Sequence, residues 1–369
     1  MNDQDLIYRI GVTLVKGIGD ITAKQVIETL GDASLLFKEK AVRLERIPGV
    51  SRRIIAEIHR PEVLQRAERE VAFIEKNKIT PLFIRDDNYP NRLKECVDAP
   101  VLLYFKGKSN LNAQKIISIV GTRNASPYGK ETVENLLQNI AEAYPEAVIV
   151  SGLAYGIDIC AHKNALKNHL PTIGVLAHGL DRIYPSAHRN TAIEMLDNGG
   201  LLTDFMSETN PDRQNFVKRN RIIAGISDCT IVVESAGKGG ALITASIADS
   251  YNKDVFAVPG KVTDACSAGC NYLIKYKKAA LITCAEDIFR EMCWNQTPEQ
   301  KKPAIQQAIF PNLTSDEQAV TDLLAKKGSA QLNTICIELN MPVNQLAPLL
   351  FELEMKGIVR CMPGGMYAC

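Results

Sequence analysis

The densest set of side chains that could bind an anion lies in residues 216–221. Lys218, Arg219 and Arg221 fall within four residues, beside the ring of Phe216 and the amide of Asn220. Proteins that bind single-stranded nucleic acid combine cations for phosphates with aromatic rings for bases, and each stacked base contributes about 1 to 3 kcal/mol. This segment therefore predicts a site for a nucleic-acid strand.

The same arginines have a second interpretation. A guanidinium group pairs with a carboxylate inside a protein as readily as it binds phosphate. Arg219 or Arg221 could brace the fold by pairing with Asp204 or Glu208. Both interpretations stay open from the sequence.

Glycine-rich turns follow four of the predicted strands. Such turns expose backbone N–H groups and the positive end of a helix dipole. Four of them at one sheet edge predict a ligand with several anionic groups in a row. The turns are Gly121-Thr122-Arg123, Ser151-Gly152 up to Gly156, His178-Gly179-Leu180-Asp181, and Ser235 up to Gly240, which includes Gly237, Lys238 and Gly239.

Cofactor and metal motifs are missing from the sequence. The turn after the first predicted strand lacks G-x-G-x-x-G, and Gly129-Lys130 is followed by Glu131 instead of the Ser or Thr of a P-loop. The ten cysteines lack the paired C-x2-C spacing of structural zinc sites; the closest pairs are Cys266/Cys270 and Cys361/Cys369. We expect no cofactor and no metal.

Catalytic motifs are equally scarce. No serine stands in a nucleophile-elbow context, and no Cys/His pairing of a protease type is visible. Glu234, at the end of a predicted strand, could act as a base or bind a ribose, although an acid there more often caps a turn. We predict no catalytic residue and a protein that is not an enzyme.

Composition indicates a cytoplasmic globular protein. The formal net charge is +1 at pH 7, and 46% of the residues are hydrophobic. No stretch approaches the roughly 18 apolar residues of a membrane-spanning helix, so we expect no membrane association. The acidic start, Met1-Asn2-Asp3-Gln4-Asp5, lacks the features of a secretory signal, so we expect reduced cysteines.

The pattern of residues 113–290 predicts a Rossmann-like α/β domain. Short apolar runs alternate with helical stretches, which is typical of a parallel sheet buried on both faces. The domain has eighteen Lys/Arg and eighteen Asp/Glu, so any DNA-binding surface must be a local stripe. The predicted strands are 116–120, 147–150, 172–177, 200–205, 229–233, 254–258 and 280–283.

Other segments complete the domain organisation. Residues 1–80 predict a helical helix-hairpin-helix or SAM-like domain, whose two glycine hairpins are either phosphate-binding turns or, as we favour, simple tight turns. Residues 81–112 form a bridging segment with an extended edge element. Residues 291–311, with Pro298, Pro303 and Pro311, predict a linker.

Residues 312–369 predict a winged helix. Three amphipathic stretches, 314–327, 330–339 and 343–356, precede a small hairpin. The domain has four Lys/Arg against six Asp/Glu, and its third helix carries Lys356 as the only cation. Because a helix that enters a DNA groove meets anionic phosphates, we interpret this domain as a protein-binding or regulatory one.

Taken together, the motifs closely resemble the DprA family of DNA-processing proteins, also called Smf. The resemblance covers essentially the whole chain. It is carried by 119–123 (IVGTR), 150–154 (VSGLA) with Gly156-Ile157-Asp158, Gly179-Leu180-Asp181 with Tyr184-Pro185, Phe216 with 219–225 (RNRIIAG), 242–245 (LITA) and Val258-Pro259-Gly260.

The resemblance implies a protein that binds single-stranded DNA without sequence specificity, protects it and loads the RecA recombinase during natural transformation. It also implies a homodimer formed through the Rossmann-like domain, with no cofactor and no turnover. The implied phosphate contacts are Gly121, Thr122, Arg123, Lys218, Arg219, Asn220 and Arg221. Phe216 is the implied stacking platform, and Ser151, Gly152, Gly237, Lys238 and Gly239 line the same edge.

The chain departs from the family pattern at a few positions. Thr122 stands where serine is more usual, Tyr155 where a small or basic residue is usual, and Lys278 where glycine is usual. Residues 235–241 differ from the usual Lys-Ser-Gly-Ser run, which makes Lys238 a weaker prediction than Arg123. The alternative function is that of a related Rossmann-like family, nucleotide-sugar phosphoribohydrolases, whose glycine-rich acid motif is similar to Glu234 with Gly237 and Gly240.

Overall fold

The computed structural model of the chain describes residues 3–294, 313–362 and 366–368. Its contacts divide the chain into two compact units, Met1–Asn295 and Gln296–Cys369. Among the described residues, no helix combines the length and the apolar character needed to cross a membrane. The nine cysteines in the described ranges are free thiols, as predicted.

The first unit begins with six helices that bury a common apolar core. The two glycine hairpins pack against each other's following helices: a Cβ on Gly17 would lie 3.1 Å from Cγ1 of Ile54, and one on Gly49 would lie 3.3 Å from Cγ2 of Thr22. The hairpins are therefore packed turns of the helical region. The helices are α1 (Asp3–Leu14), α2 (Asp20–Leu30), α3 (Leu35–Lys38), α4 (Ala41–Leu44), α5 (Arg52–Ile58) and α6 (Pro61–Asn77).

A nine-stranded sheet follows, in the order β1-β2-β6-β5-β4-β3-β7-β8-β9. β2 is antiparallel to both of its neighbours, β1 and β6. The six other pairs, which run through the sheet in the order β6-β5-β4-β3-β7-β8-β9, are parallel. The bridging segment thus supplies two strands to the sheet. The strands are β1 (Thr80–Phe83), β2 (Leu102–Gly107), β3 (Ile116–Val120), β4 (Val148–Ser151), β5 (Thr172–Val175), β6 (Gly200–Thr203), β7 (Cys229–Val232), β8 (Asp254–Ala257) and β9 (Ala280–Leu281).

Helices connect these strands and cover both faces of the sheet. They are α7 (Asn91–Lys94), α8 (Pro127–Ala143), α9 (Ile157–Lys167), a 3-10 turn (Ser186–His188), α10 (Arg189–Asn198), α11 (Arg213–Ile226), α12 (Gly240–Ser250), α13 (Ala268–Lys275) and α14 (Ala285–Glu291). Along β3, Ile116 and Val120 belong to the buried cluster on one face, whereas Ile117 and Ile119 belong to the cluster on the other. This two-sided burial explains why the strands read as continuous apolar runs.

All seven predicted strands of this region exist, and most end one or two residues earlier than predicted. Leu176, Ala177, Val233 and Val258 lie beyond the strand ends and are still buried. The apolar pattern overruns the hydrogen-bonded ladder because the chain continues to pack into the core after it leaves the sheet. The prediction of a Rossmann-like parallel sheet is confirmed.

The second unit is a winged helix, as predicted. Its sheet has the order β10-β12-β11, and its core contains Val320, Leu324, Ile335, Leu346 and Leu350. Its elements are α15 (Ser315–Lys327), β10 (Ala330–Gln331), α16 (Leu332–Leu339), α17 (Val343–Met355), β11 (Arg360–Met362) and β12 (Met366–Ala368). Residues 295–311 of the predicted linker lie outside the described residues.

Candidate nucleic-acid interface

A pocket of about 600 Å³ opens at the carboxyl ends of β3 and β7. Parallel strands bring their carboxyl ends to one edge of the sheet, where ligands of open α/β folds bind. Segments far apart in the sequence meet here. The lining includes Gly121, Thr122, Arg123, Asp158, Arg213, Phe216, Arg219, Asn220, Lys238 and Gly239.

Arg123 and Phe216 lie next to each other at the mouth of the pocket. The guanidinium carbon of Arg123 lies 5.3 Å from the centroid of the half-buried Phe216 ring. Arg123 is exposed, so its charge faces solvent at the pocket mouth beside an aromatic surface. This arrangement suits one phosphate and one base of the same strand.

The turn that carries Arg123 is held in place by its neighbours. The Thr122 N–H donates to the carbonyl of Glu234 at 2.8 Å, and the Ile157 N–H donates to the carbonyl of Thr122 at 3.1 Å. Gly156 has a φ of 78°, and a Cβ there would lie 2.1 Å from the Thr122 carbonyl oxygen. Only glycine permits this close approach, which fixes the backbone next to Arg123.

Arg219 lies beneath the pocket as a buried brace. It donates to the carbonyl of Gly152 at 2.7 Å and also to the carbonyl of Val175. Burial lowers the pKa of Arg219 to about 10, although the nearby Asp158 opposes the shift. Burial also raises the pKa of Asp158, which accepts a hydrogen bond from the Gly152 N–H at 3.1 Å. Arg219 therefore holds the turn after β4 against β5.

Arg221 is also buried, within an ion-pair cluster. Its two terminal nitrogens each lie 2.8 Å from a carboxylate, one from Asp20 and the other from Asp204. Burial would lower the pKa of Arg221, but the Asp204 and Asp20 carboxylates outweigh it and raise the pKa. The bracing interpretation through Asp204 is therefore what the structure shows for Arg221.

Lys218 lies at the exposed end of this cluster. Its Nζ is 3.5 Å from Asp20 and 3.6 Å from Asp204, and its side chain is 46% exposed. Such longer ion pairs are weak, because the charge of the half-exposed lysine remains partly hydrated. Lys218 can therefore turn to a phosphate, whereas both terminal nitrogens of Arg221 are held by carboxylates.

The remaining predicted residues also divide into exposed residues and buried bracing residues. Lys238 and Gly237 are exposed beside the pocket, and Asn220 is half-buried in its wall. Ser151 is buried and donates to the carbonyl of Ile119 at 2.6 Å, and Gly152 is buried under Arg219. Ser151, Gly152, Arg219 and Arg221 thus brace the edge, and the exposed residues are left to face a ligand.

Glu234 is a buried bracing acid. Its carboxylate accepts hydrogen bonds from the Ser126 hydroxyl at 2.5 Å and from the Ser126 N–H at 2.9 Å. Ser126 in turn caps α8 by accepting from the Gly129 N–H. Both carboxylate oxygens therefore position the start of α8, which favours the capping interpretation.

Two residues of this region were not predicted as site residues. Asp20 comes from the helical region, and nothing in its local sequence indicates that it pairs with Lys218 and Arg221. The ring of Tyr184 lies 6.0 Å from that of Phe216. A search for aromatic residues in the turns after predicted strands would have found Tyr184.

Fold and pocket define a class: a Rossmann-like α/β protein with a pocket at the carboxyl ends of its strands, followed in the chain by a winged helix. The family model described as DNA recombination-mediator protein A matches residues 80–293, and that of the DprA winged helix domain matches residues 301–365. The chain belongs to the DNA recombination-mediator protein A (DprA) family, a family of DNA-processing proteins.

Relatives and solved structures agree with this assignment. The DNA processing protein DprA of Streptococcus pneumoniae is 40% identical over 217 residues, which cover 59% of this chain and 76% of the relative. Its X-ray structure superposes with a TM-score of 0.64 at 33% identity and covers 77% of this chain and 97% of that chain. The structure of DNA processing protein A from Helicobacter pylori gives a TM-score of 0.53 at 30% identity, covering 59% and 97%.

Proposed function

We propose that this chain binds single-stranded DNA at the carboxyl edge of its sheet, without sequence specificity, and protects the bound strand. The observation that carries the proposal is the exposed Arg123 guanidinium 5.3 Å from the Phe216 ring at the mouth of the pocket. The Helicobacter pylori relative is a single-stranded DNA-binding protein. That relative supports the choice of ligand.

In this proposal, charge and stacking have separate positions. Arg123, Lys238 and Lys218 attract phosphates, together with backbone N–H groups of the turns at Gly121 and Gly237. Phe216 stacks with a base. Because every base has an aromatic face and every nucleotide has a phosphate, these contacts do not select a sequence.

We further propose that the bound strand is handed to the RecA recombinase during natural transformation. This proposal rests on the chain's membership of the DprA family. A strand held at an open sheet edge keeps its other side accessible to a second protein. The test is RecA filament formation on strands pre-coated with single-strand binding protein, which this chain should accelerate.

We propose a homodimer that forms through the Rossmann-like domain in the cytoplasm. Among the described residues, the edge strand β9 pairs with β8 alone. Three large apolar side chains, on β9 or on α13 and the residue after it, are about half exposed: Leu281, Tyr272 and Tyr276. Exposed apolar groups at an unpaired sheet edge favour association. Light scattering should give twice the chain mass, and Leu281→Glu should shift it toward the monomer.

We propose that the protein acts by binding and not by turnover. Glu234 is the residue that the sequence analysis considered as a catalytic base. Both of its carboxylate oxygens accept hydrogen bonds from Ser126. A general base needs a free oxygen within reach of a substrate proton.

The experiment that tests the proposed site compares two alanine variants by fluorescence anisotropy with a labelled mixed-sequence oligonucleotide. Arg123→Ala should weaken binding about tenfold, which is the loss of one charge-assisted contact. Glu131→Ala, an exposed change on α8 outside the pocket, serves as the control. Unchanged affinity in a folded Arg123→Ala protein would refute the site.

A further inference from the structure

Aromatic side chains recur along the carboxyl edge of the sheet on the β5 side of the pocket. Tyr184, in the segment after β5, is 47% exposed, and Tyr155, in the turn after β4, is 50% exposed. The Tyr184 ring lies 6.0 Å from the Phe216 ring at an interplanar angle of 58°. About half of each of these two tyrosine side chains is therefore open to solvent.

The backbone of Tyr184 is anchored, whereas its ring is not. Its N–H donates to Nε2 of His178 at 3.2 Å, and Nδ1 of the buried His178 lies 2.8 Å from the Gly179 carbonyl. Nε2 must therefore be the unprotonated nitrogen, which leaves Nδ1–H to donate to Gly179. Among the described residues, the Tyr184 hydroxyl makes no hydrogen bond. No hydrogen bond of the hydroxyl therefore holds the ring in its position.

A second tyrosine on the same edge provides a contrast. Tyr128, near the start of α8, is also 47% exposed, but its hydroxyl donates to the Pro259 carbonyl at 2.8 Å, after β8. Tyr128 thus has a structural role on the β8 side. Tyr184 has the same exposure without such a bond and lies next to the ring that we assign to base stacking.

We propose that Tyr184 is a second base-stacking platform, so that a bound single strand leaves the pocket over Phe216 toward β5 and not toward β8. This inference rests on the proposed function and adds a direction to it. Phe216 and Tyr184 are tilted relative to each other, so they receive two different bases instead of enclosing one. The exposed Tyr155, in the turn after the intervening strand β4, borders the same path.

The test separates stacking from phosphate binding with two labelled oligonucleotides of equal length: oligo-dT, and the same backbone with abasic sites throughout. Tyr184→Ala should weaken oligo-dT binding about fivefold or more, which corresponds to the loss of one stacked base. It should leave binding of the abasic strand unchanged. Tyr184→Phe, which retains the ring, should bind oligo-dT like the wild type, and Tyr128→Ala should bind both strands like the wild type.

Three outcomes would overturn the inference. Equal losses on both oligonucleotides would show that Tyr184 merely supports Phe216 or the fold. A loss specific to oligo-dT in Tyr128→Ala, with none in Tyr184→Ala, would place the strand on the β8 side. Wild-type affinity of Tyr184→Ala for oligo-dT would remove Tyr184 from the site, whereas failure of the wild-type protein to bind either strand would refute the proposed function itself.

Discussion

Arg221 joins the sheet to the helical region that precedes it. Its guanidinium group lies between Asp204, next to β6, and Asp20, the first residue of α2. Asp204 is almost fully buried, and one of its carboxylate oxygens has no hydrogen-bond partner among the described residues. The charge balance of this cluster therefore depends on the arginine.

We predict that Arg221→Ala destabilises the protein by about 3 to 5 kcal/mol, because it leaves the buried Asp204 carboxylate with only the longer ion pair to Lys218. Urea unfolding followed by circular dichroism measures the change. Arg123→Ala, an exposed arginine, is the matched control and should change the free energy of unfolding by less than about 0.5 kcal/mol. Equal stability of the two variants would contradict the bracing role.

A second residue predicts a pH dependence. His162 is fully buried, its Nδ1 lies 2.7 Å from the Thr172 hydroxyl, and its Nε2 has no partner among the described residues. Burial, with a smaller effect of the nearby charge of Arg219, lowers its pKa from 6.5 to about 3. The folded state therefore holds a neutral imidazole, whereas the unfolded chain takes up a proton below pH 6.5.

It follows that this stabilising contribution is present above pH 6.5 and is lost as the pH falls toward 3. Between pH 7 and pH 5 we expect a loss of about 2 kcal/mol from His162. Urea unfolding at the two pH values should show a smaller loss in His162→Gln. The same loss in both proteins would assign it to other groups.

The sequence predicts a site residue's surroundings well when its neighbours are close in the chain, and poorly when they come from a distant segment. Helical spacing places Arg219 on the face of α11 that carries Ile222, Ile223 and Ile226, a pattern from which its burial could have been inferred, although the sequence analysis left both interpretations open. Arg221 lies off that face and is buried because the helical region packs over it. A contact between residues about 200 positions apart leaves no local pattern.

Helix α17, the third helix of the winged helix, differs from a helix that enters a DNA groove. Its outward face carries Ala347, Pro348, Phe351 and Met355, with Phe351 63% and Met355 74% exposed. Residues 343–355 contain no Lys or Arg, and Lys356 is paired with Glu317 at 2.5 Å. The helix thus presents an apolar and anionic surface, as the charge count of the sequence predicted.

From this surface we predict that the double variant Phe351→Ser, Met355→Ser binds single-stranded and duplex DNA as tightly as the wild type. Phosphate contacts dominate DNA affinity, and this helix offers no cation for them. Anisotropy with both kinds of oligonucleotide measures the effect. A tenfold loss of duplex affinity would show that α17 contacts DNA.

The order of the elements was accessible from the sequence, whereas their extents were less so. The alternation of strands and helices follows from the sheet's two buried faces, which impose apolar runs on each strand. β1 and β2 were less clear, because β2 joins β6 as an antiparallel neighbour almost a hundred residues away. Such pairings depend on tertiary packing.

At the scale of the whole molecule, the net charge of +1 excludes a general electrostatic attraction to DNA. In the proposed function, binding arises from exposed cations at one sheet edge, among them Arg123, Lys218 and Lys238. Each phosphate contact releases bound counter-ions, so even a short stripe produces a strong dependence on salt. Duplex DNA, with its bases stacked inside, cannot use Phe216 or Tyr184.

The most direct test is the affinity of the full chain for a labelled mixed-sequence oligonucleotide, single-stranded and duplex, over a salt series from 50 to about 300 mM. We predict a clear preference for the single strand, with an affinity that falls linearly with the logarithm of salt concentration and a shallower slope for Arg123→Ala. Equal affinity for duplex and single strand, or no binding at 50 mM salt, would contradict a single-strand site at this edge.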